Sequence, residues 1–151
     1  MNNTLSILKE KGIIKSGVFD LLAITFIYFA PALSHMAGLP IYYLDPMRLL
    51  IILALAHTKK ENSVILALTL PLFSFFISSH PVFAKAGLIM MELTLNIALF
   101  FYLAKKFNNV IIPILSSIII SKVIYYLAKY AFINLSVIKG ELFSTPILIQ
   151  L

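Results

Sequence analysis

Along the chain, apolar residues run in blocks of helix length, broken by Pro, Gly, Asn or paired Lys and not by the alternation of a half-buried strand. The blocks predict five helices, at about 18–35, 46–58, 63–79, 82–104 and 110–133. A helix needs roughly 20 apolar residues to cross a hydrocarbon core about 30 Å thick. A sixth apolar segment, 142–151, is too short for that. Either it is interfacial or re-entrant, or the chain stops short of a complete sixth span, and the second is the expectation. The predicted fold is all-α: one polytopic membrane helix bundle over 1–151, with five to six transmembrane helices.

Composition sharpens this. Of the 151 residues, 61% are hydrophobic and 12% charged, and the mean hydropathy is +1.01, far from the range of a soluble domain. No soluble domain fits beside the spans. The absence of Cys excludes disulfides, thiolate metal sites and a cysteine nucleophile. Residues 1–22 place basic residues before an apolar run, as a signal peptide does, but no small-residue cleavage site follows, so a retained first helix is expected.

Charge then sets the topology. Lys9, Lys11 and Lys15 precede span one, Lys59 and Lys60 join spans two and three, and Lys105 and Lys106 join spans four and five. These fall on one side, which the positive-inside rule makes cytoplasmic, with the N-terminus inside. The net charge of +6 is read as topology and not as nucleic-acid binding. The opposite, external loops and helix ends hold a scattered mixture: His35, Tyr42, Tyr43, Asp45, Arg48, His80, Lys85, Asn134, Lys139 and Glu141.

Within the spans, candidate chemistry is concentrated on a few positions. In span four, Lys85, Glu92 and Asn96 are separated by seven and eleven residues, about 700° and about 1100° of rotation, so they share one stripe to within roughly 20°. Charge facing lipid at mid-bilayer costs about 2.5–3.5 kcal/mol, so the stripe is expected to face protein or a wet cavity. It is read either as a packing contact with Lys85 snorkelling outward, or as a cavity floor of Glu92 and Asn96 with Lys85 at the rim.

Span two opens Asp45, Pro46, Met47, Arg48. Asp45 suits the cap and Pro46 the first helical position, so the helix is expected to run from here to Thr58, too short to cross, with 38–44 completing the span as non-helical backbone. Arg48, the only arginine, has the planar fork that recognises carboxylate or phosphate, and can equally form an ion pair with Asp45 or Glu92. Span five carries Lys122 near its middle, Lys129 close enough to its end to reach water, and Tyr125 and Tyr126 between them, as packing residues or as a hydroxyl offered to a ligand. His35 and His80 end spans one and three without metal-ligand spacing; they are read as caps or hydrogen-bonding groups at a cavity mouth, and no metal or cofactor is expected. Pro31 and Pro71 are expected to kink spans one and three. No Walker A, HExxH or GxSxG motif occurs, so the chain is not expected to be an enzyme or to hydrolyse ATP itself.

The segments GLPIYYLDPMRLLIILAL and LPLFSFFISSHPVFAKAGLIMMELTLNIALF, over about 30–101, resemble the substrate-binding S component of energy-coupling factor (ECF) transporters. The resemblance implies a multi-pass protein of a bacterial plasma membrane that captures a vitamin or similar micronutrient in an outward-facing pocket. It implies as partners a transmembrane coupling subunit and two cytoplasmic ATPase subunits, beside the lipid bilayer. Carried onto this chain, the pocket involves 35–45, Arg48, the turn from His80 to Lys85, and Glu92, with the loop after Ile133 as a lid. Span one lacks the Ala-x-x-x-Ala pattern by which many members meet the coupling subunit, Ala30 to Ser34 giving only a small-x-x-x-small substitute. The metal hook of nickel and cobalt members is also missing.

The expected substrate-binding residues are Arg48, Lys85, Glu92, Asn96, His80, Asp45, Tyr43, His35, Lys122 and Tyr126. Their excess of positive charge calls for a ligand with a carboxylate or phosphate on an apolar or aromatic body. Two other classes compete. In a structural or assembly subunit the same charges serve as helix glue; in an intramembrane enzyme Glu92 and His80 act as acid and base.

Overall fold

The structure, a computed structural model, describes residues 2–38, 45–78, 81–107, 109–138 and 142, and for 2–11, 37 and 78 the backbone alone. The described residues form five helices and no strand: α1 (Asn2–Ala37), α2 (Pro46–His57), α3 (Lys60–Ser78), α4 (Phe83–Ala104) and α5 (Ile111–Asn134). Four segments, Gly12–Met36, Lys60–Ile77, Phe83–Ala104 and Ile111–Asn134, are long and apolar enough to cross a membrane. The 12-residue α2 spans only about 18 Å at 1.5 Å per residue.

Helix α1 begins well before the expected 18, because 2–17 contain helix formers and no Pro, so the helix outruns its apolar part. Pro31 and Pro71 lie inside α1 and α3 without interrupting them. The turn between α2 and α3 is closed by Thr58, whose hydroxyl donates to the Ala54 carbonyl at 2.7 Å. Asn109 caps α5 by accepting the Ile111 N–H at 2.9 Å. At the other end of α5, Ser136 is left-handed at φ 57°; its N–H donates to Ile133 and that of Val137 to Phe132, a Schellman closure that turns the chain back.

The core forms where α1 to α4 meet: Ala23, Ile27, Ile51, Ala54, Leu66, Ala67, Leu70, Leu93 and Ile97. Helix α5 adds nothing to that cluster and packs mainly on α4. Its buried residues are Pro113, Ser117, Ser121, Lys122, Tyr125 and Lys129, largely a repeat of four along one face, while Ile119, Ile120, Val123, Ile124 and Leu127 point outward. A helix that buries its polar face and exposes its apolar one is suited to lipid. The outer faces of α1 and α3 agree: the hydroxyls of the exposed Thr25 and Thr69 donate to their own helices at Leu21 and Ile65, leaving no free donor toward hydrocarbon.

The chain runs up and down, so the lysine-bearing turns gather at one end of the bundle. Lys60 lies 5.0 Å above the Phe101 ring, joining the start of α3 to the end of α4. Position 12 of α1 approaches Lys59 at the same end, and nearby Asn62 donates to Asp20 of α1 at 2.8 Å.

Candidate functional site

The start of α2, the middle of α4 and the middle of α5 bring four charged groups together. At 1.5 Å per residue, Arg48 lies about 14 Å along α2 from its His57 end, Glu92 about 18 Å from the Ala104 end of α4, and Lys122 about 17 Å from the Ile111 start of α5. All three counts start from the lysine-turn end of the bundle. They meet at one level because α2 starts part-way along it.

The groups form a closed ring of alternating charge. Arg48 Nη2 donates to Glu92 Oε1 and lies 3.4 Å from Asp45 Oδ2. Lys122 Nζ lies 3.2 Å from the same Asp45 oxygen and 3.3 Å from the same Glu92 oxygen. Arg48 is 5% exposed, Glu92 3% and Lys122 9%, whereas the Asp45 side chain is 31% exposed. Three corners are shut in and one is open.

Two of the three Arg48 guanidinium nitrogens, Nε and Nη1, are buried and have no hydrogen-bond partner among the described residues. Buried donors of this kind normally find an acceptor, and leaving a charged one unmade is expensive. Arg48 therefore holds recognition capacity that its carboxylate partners do not use.

Asp45 takes a different part from the cap expected of it. It stands at the position before α2, but its backbone is left-handed, at φ 48° and ψ 64°, and its side chain makes no capping bond. The carboxylate turns instead to Arg48 and Lys122, where two cations outbid a backbone N–H. Pro46 follows at the first turn of α2, where its missing N–H leaves no orphan.

Around the ring, α4 and α5 supply a polar seam. Asn96 Nδ2 donates to the Ser121 hydroxyl at 3.3 Å, and Ser121 donates to the Ile118 carbonyl at 3.0 Å. Tyr125, 7% exposed, holds its ring 5.5 Å from Lys122 Nζ and packs edge-on against Tyr126 at 5.3 Å. Lys129 is buried, contrary to the expectation that it reaches water, and donates to the Leu142 carbonyl at 2.6 Å. Lys129 also stands within electrostatic reach of Lys85 and Lys122.

Of the expected site residues, Asp45, Arg48, Glu92 and Lys122 are in the ring, and Asn96 and Tyr126 adjoin it through Ser121 and Tyr125. Lys85 is half-buried and has no ion-pair partner among the described residues. His35 is exposed near the end of α1, and its ring has no contact with the ring residues. Tyr43, His80 and 39–44, including most of the expected non-helical part of span two, lie outside the described residues, as do Lys139, Glu141 and nearly all of 142–151. Sequence reasoning left Ser121, Tyr125 and Lys129 out of the site. Their signal was the repeat of four, Ser117, Ser121, Tyr125, Lys129, in an otherwise apolar helix. Compared with protein-family models, curated proteins and solved structures, the chain finds no match in any of the three.

Proposed function

We propose that the chain is an integral membrane protein of the substrate-capture type, the S component of an ECF-type uptake transporter, and that it holds a vitamin-like micronutrient by an anionic group between α2, α4 and α5. The observation that carries this reading is Arg48: a buried guanidinium with two nitrogens unpartnered among the described residues next to a second buried cation, Lys122. With Lys85 and Lys129 the neighbourhood carries four positive groups against the two carboxylates of Asp45 and Glu92, and a carboxylate or phosphate would balance them. Tyr125 and Tyr126 offer an aromatic wall to the rest of the ligand. In this reading the lysine turns face the cytoplasm with the N-terminus, and the open Asp45 corner faces outward. The coupling subunit and ATPases supply the energy.

The test is native mass spectrometry of the detergent-purified protein, followed by thermal-shift measurements across a panel of vitamins and precursors. A copurified small acid whose binding is lost in Arg48→Ala is the expected result. Absence of any ligand, with uptake unchanged in Arg48→Ala and Glu92→Gln, would sink the reading.

A structural or assembly subunit is the second reading, favoured by the ring itself, which balances two positive against two negative charges within the chain. It predicts that the same substitutions weaken a membrane complex while no small molecule binds.

A further inference from the structure

We infer that Asp45 is a built-in stand-in for the ligand's anionic group, a tethered carboxylate that occupies the cationic site and is displaced when a free oxyanion binds. The inference rests on the anion-capture reading above and adds how entry to that site is regulated. Three independent features of Asp45 carry it.

The first is its position among the charges. Its Oδ2 lies between Arg48 Nη2 at 3.4 Å and Lys122 Nζ at 3.2 Å, where an incoming carboxylate or phosphate oxygen would bridge both cations. Glu92 contacts the same two groups but is sealed in the helix packing at 3% exposure. Glu92 is therefore the fixed counterion and Asp45, with its side chain 31% exposed, the exchangeable one.

The second is the backbone. Asp45 is one of two non-glycine residues with positive φ among the described residues, a conformation that, after glycine, asparagine and aspartate adopt more readily than most residues. Its side chain makes no capping bond to α2, while its carbonyl accepts the Leu49 N–H at 3.1 Å. Among the described residues only Arg48 and Lys122 hold the side chain, so it can leave once they have another oxyanion.

The third is the unused capacity beside it. Arg48 Nε and Nη1 lack acceptors among the described residues, and a single tethered carboxylate engages only Nη2. A free oxyanion with several oxygens can satisfy more of the fork, which gives it an advantage over Asp45.

A counterion that fills the site about nine-tenths of the time lowers apparent affinity about tenfold. Removing the Asp45 charge should therefore tighten oxyanion binding, the opposite of what is expected for a residue that contacts ligand favourably. The experiment uses the full chain in nanodiscs of zwitterionic lipid and measures binding of inorganic phosphate and of acetate by thermal shift, in wild type, Asp45→Asn and Asp45→Gly. Asn tolerates the left-handed backbone and Gly removes its strain, so the two variants separate charge from folding. A separate arm adds anionic phosphatidylglycerol to tell a lipid headgroup from a free oxyanion.

Binding about tenfold tighter in both variants supports displacement. Equal or weaker binding in the variants overturns it while leaving the anion site standing. No binding of phosphate, acetate or anionic lipid to any form overturns the anion site, and the inference with it.

Discussion

Arg48 gives Glu92 only one of its guanidinium nitrogens. The pair is made through Nη2, and the other two nitrogens stay buried without acceptors among the described residues. A guanidinium and a carboxylate that served only to lock α2 to α4 would be expected to meet fork to fork, with two parallel bonds. The single-point contact leaves the pair short of its full strength, and the energetics of the site follow from that.

Glu92→Gln leaves Arg48 and Lys122 with Asp45 as their one carboxylate in the ring. Removing one partner of a buried pair costs about 3–5 kcal/mol, and a marked fall in the apparent melting temperature in detergent is expected. Replacing both partners, Arg48→Met with Glu92→Leu, should cost less than the sum of the single substitutions, because no buried charge is then orphaned. A double-mutant cycle on melting curves checks this; strict additivity would mean the two side chains are not coupled.

The seam between α4 and α5 should tolerate loss better than gain. Ser121 is completely buried, so Ser121→Leu overpacks a closed interface and should destabilise by about 1–3 kcal/mol. Ser121→Ala removes the bond within α5 to the Ile118 carbonyl and the interhelical bond from Asn96, the latter worth about 0.6 kcal/mol between membrane helices. Chemical denaturation of the two variants in mixed micelles measures the difference, and a reversed order would place this face outside the packing.

These two cases also show what could be read from sequence. The ranges of α2 to α5 follow from Pro, Gly and paired Lys bounding apolar blocks, and they lie within a few residues of the observed helices. The facing of Glu92 and Asn96 follows from the cost of charge in lipid together with helical rotation. Which carboxylate meets which cation does not follow, since it depends on where α2 starts along the bundle. The conformation of Asp45 was hidden as well: Asp before Pro reads as a cap, and only the nearby cations of α2 and α5 turn its side chain elsewhere. Asp20 and Asn62 went unnoticed because neither repeats at a helical spacing with other polar residues.

The outward face of α5 gives a test of the membrane reading. Val123 is exposed among apolar neighbours, so Val123→Leu should be neutral, while Val123→Lys should cost about 2.5–3.5 kcal/mol of insertion free energy. Membrane-integration assays on the intact chain compare the two; equal integration would place Val123 away from lipid.

Sidedness can be measured because the chain has no Cys, so a single introduced thiol reports alone. In intact cells a membrane-impermeant maleimide should label Ser136→Cys and should reach Lys60→Cys only after permeabilisation. The reverse pattern would invert the proposed orientation.

The inside-out pattern of α5 also bears on how the protein is made. Alone in a bilayer, this helix would present the ammonium groups of Lys122 and Lys129 to hydrocarbon, at about 2.5–3.5 kcal/mol for a lysine near the centre, as Lys122 is. The two carboxylates that neutralise Lys122, Asp45 and Glu92, both precede it in the chain and leave the ribosome first. Synthesis from the N-terminus thus delivers the lysine to counterions already waiting in the membrane, and insertion of α5 becomes a step of assembly onto α4 and not an independent partitioning event.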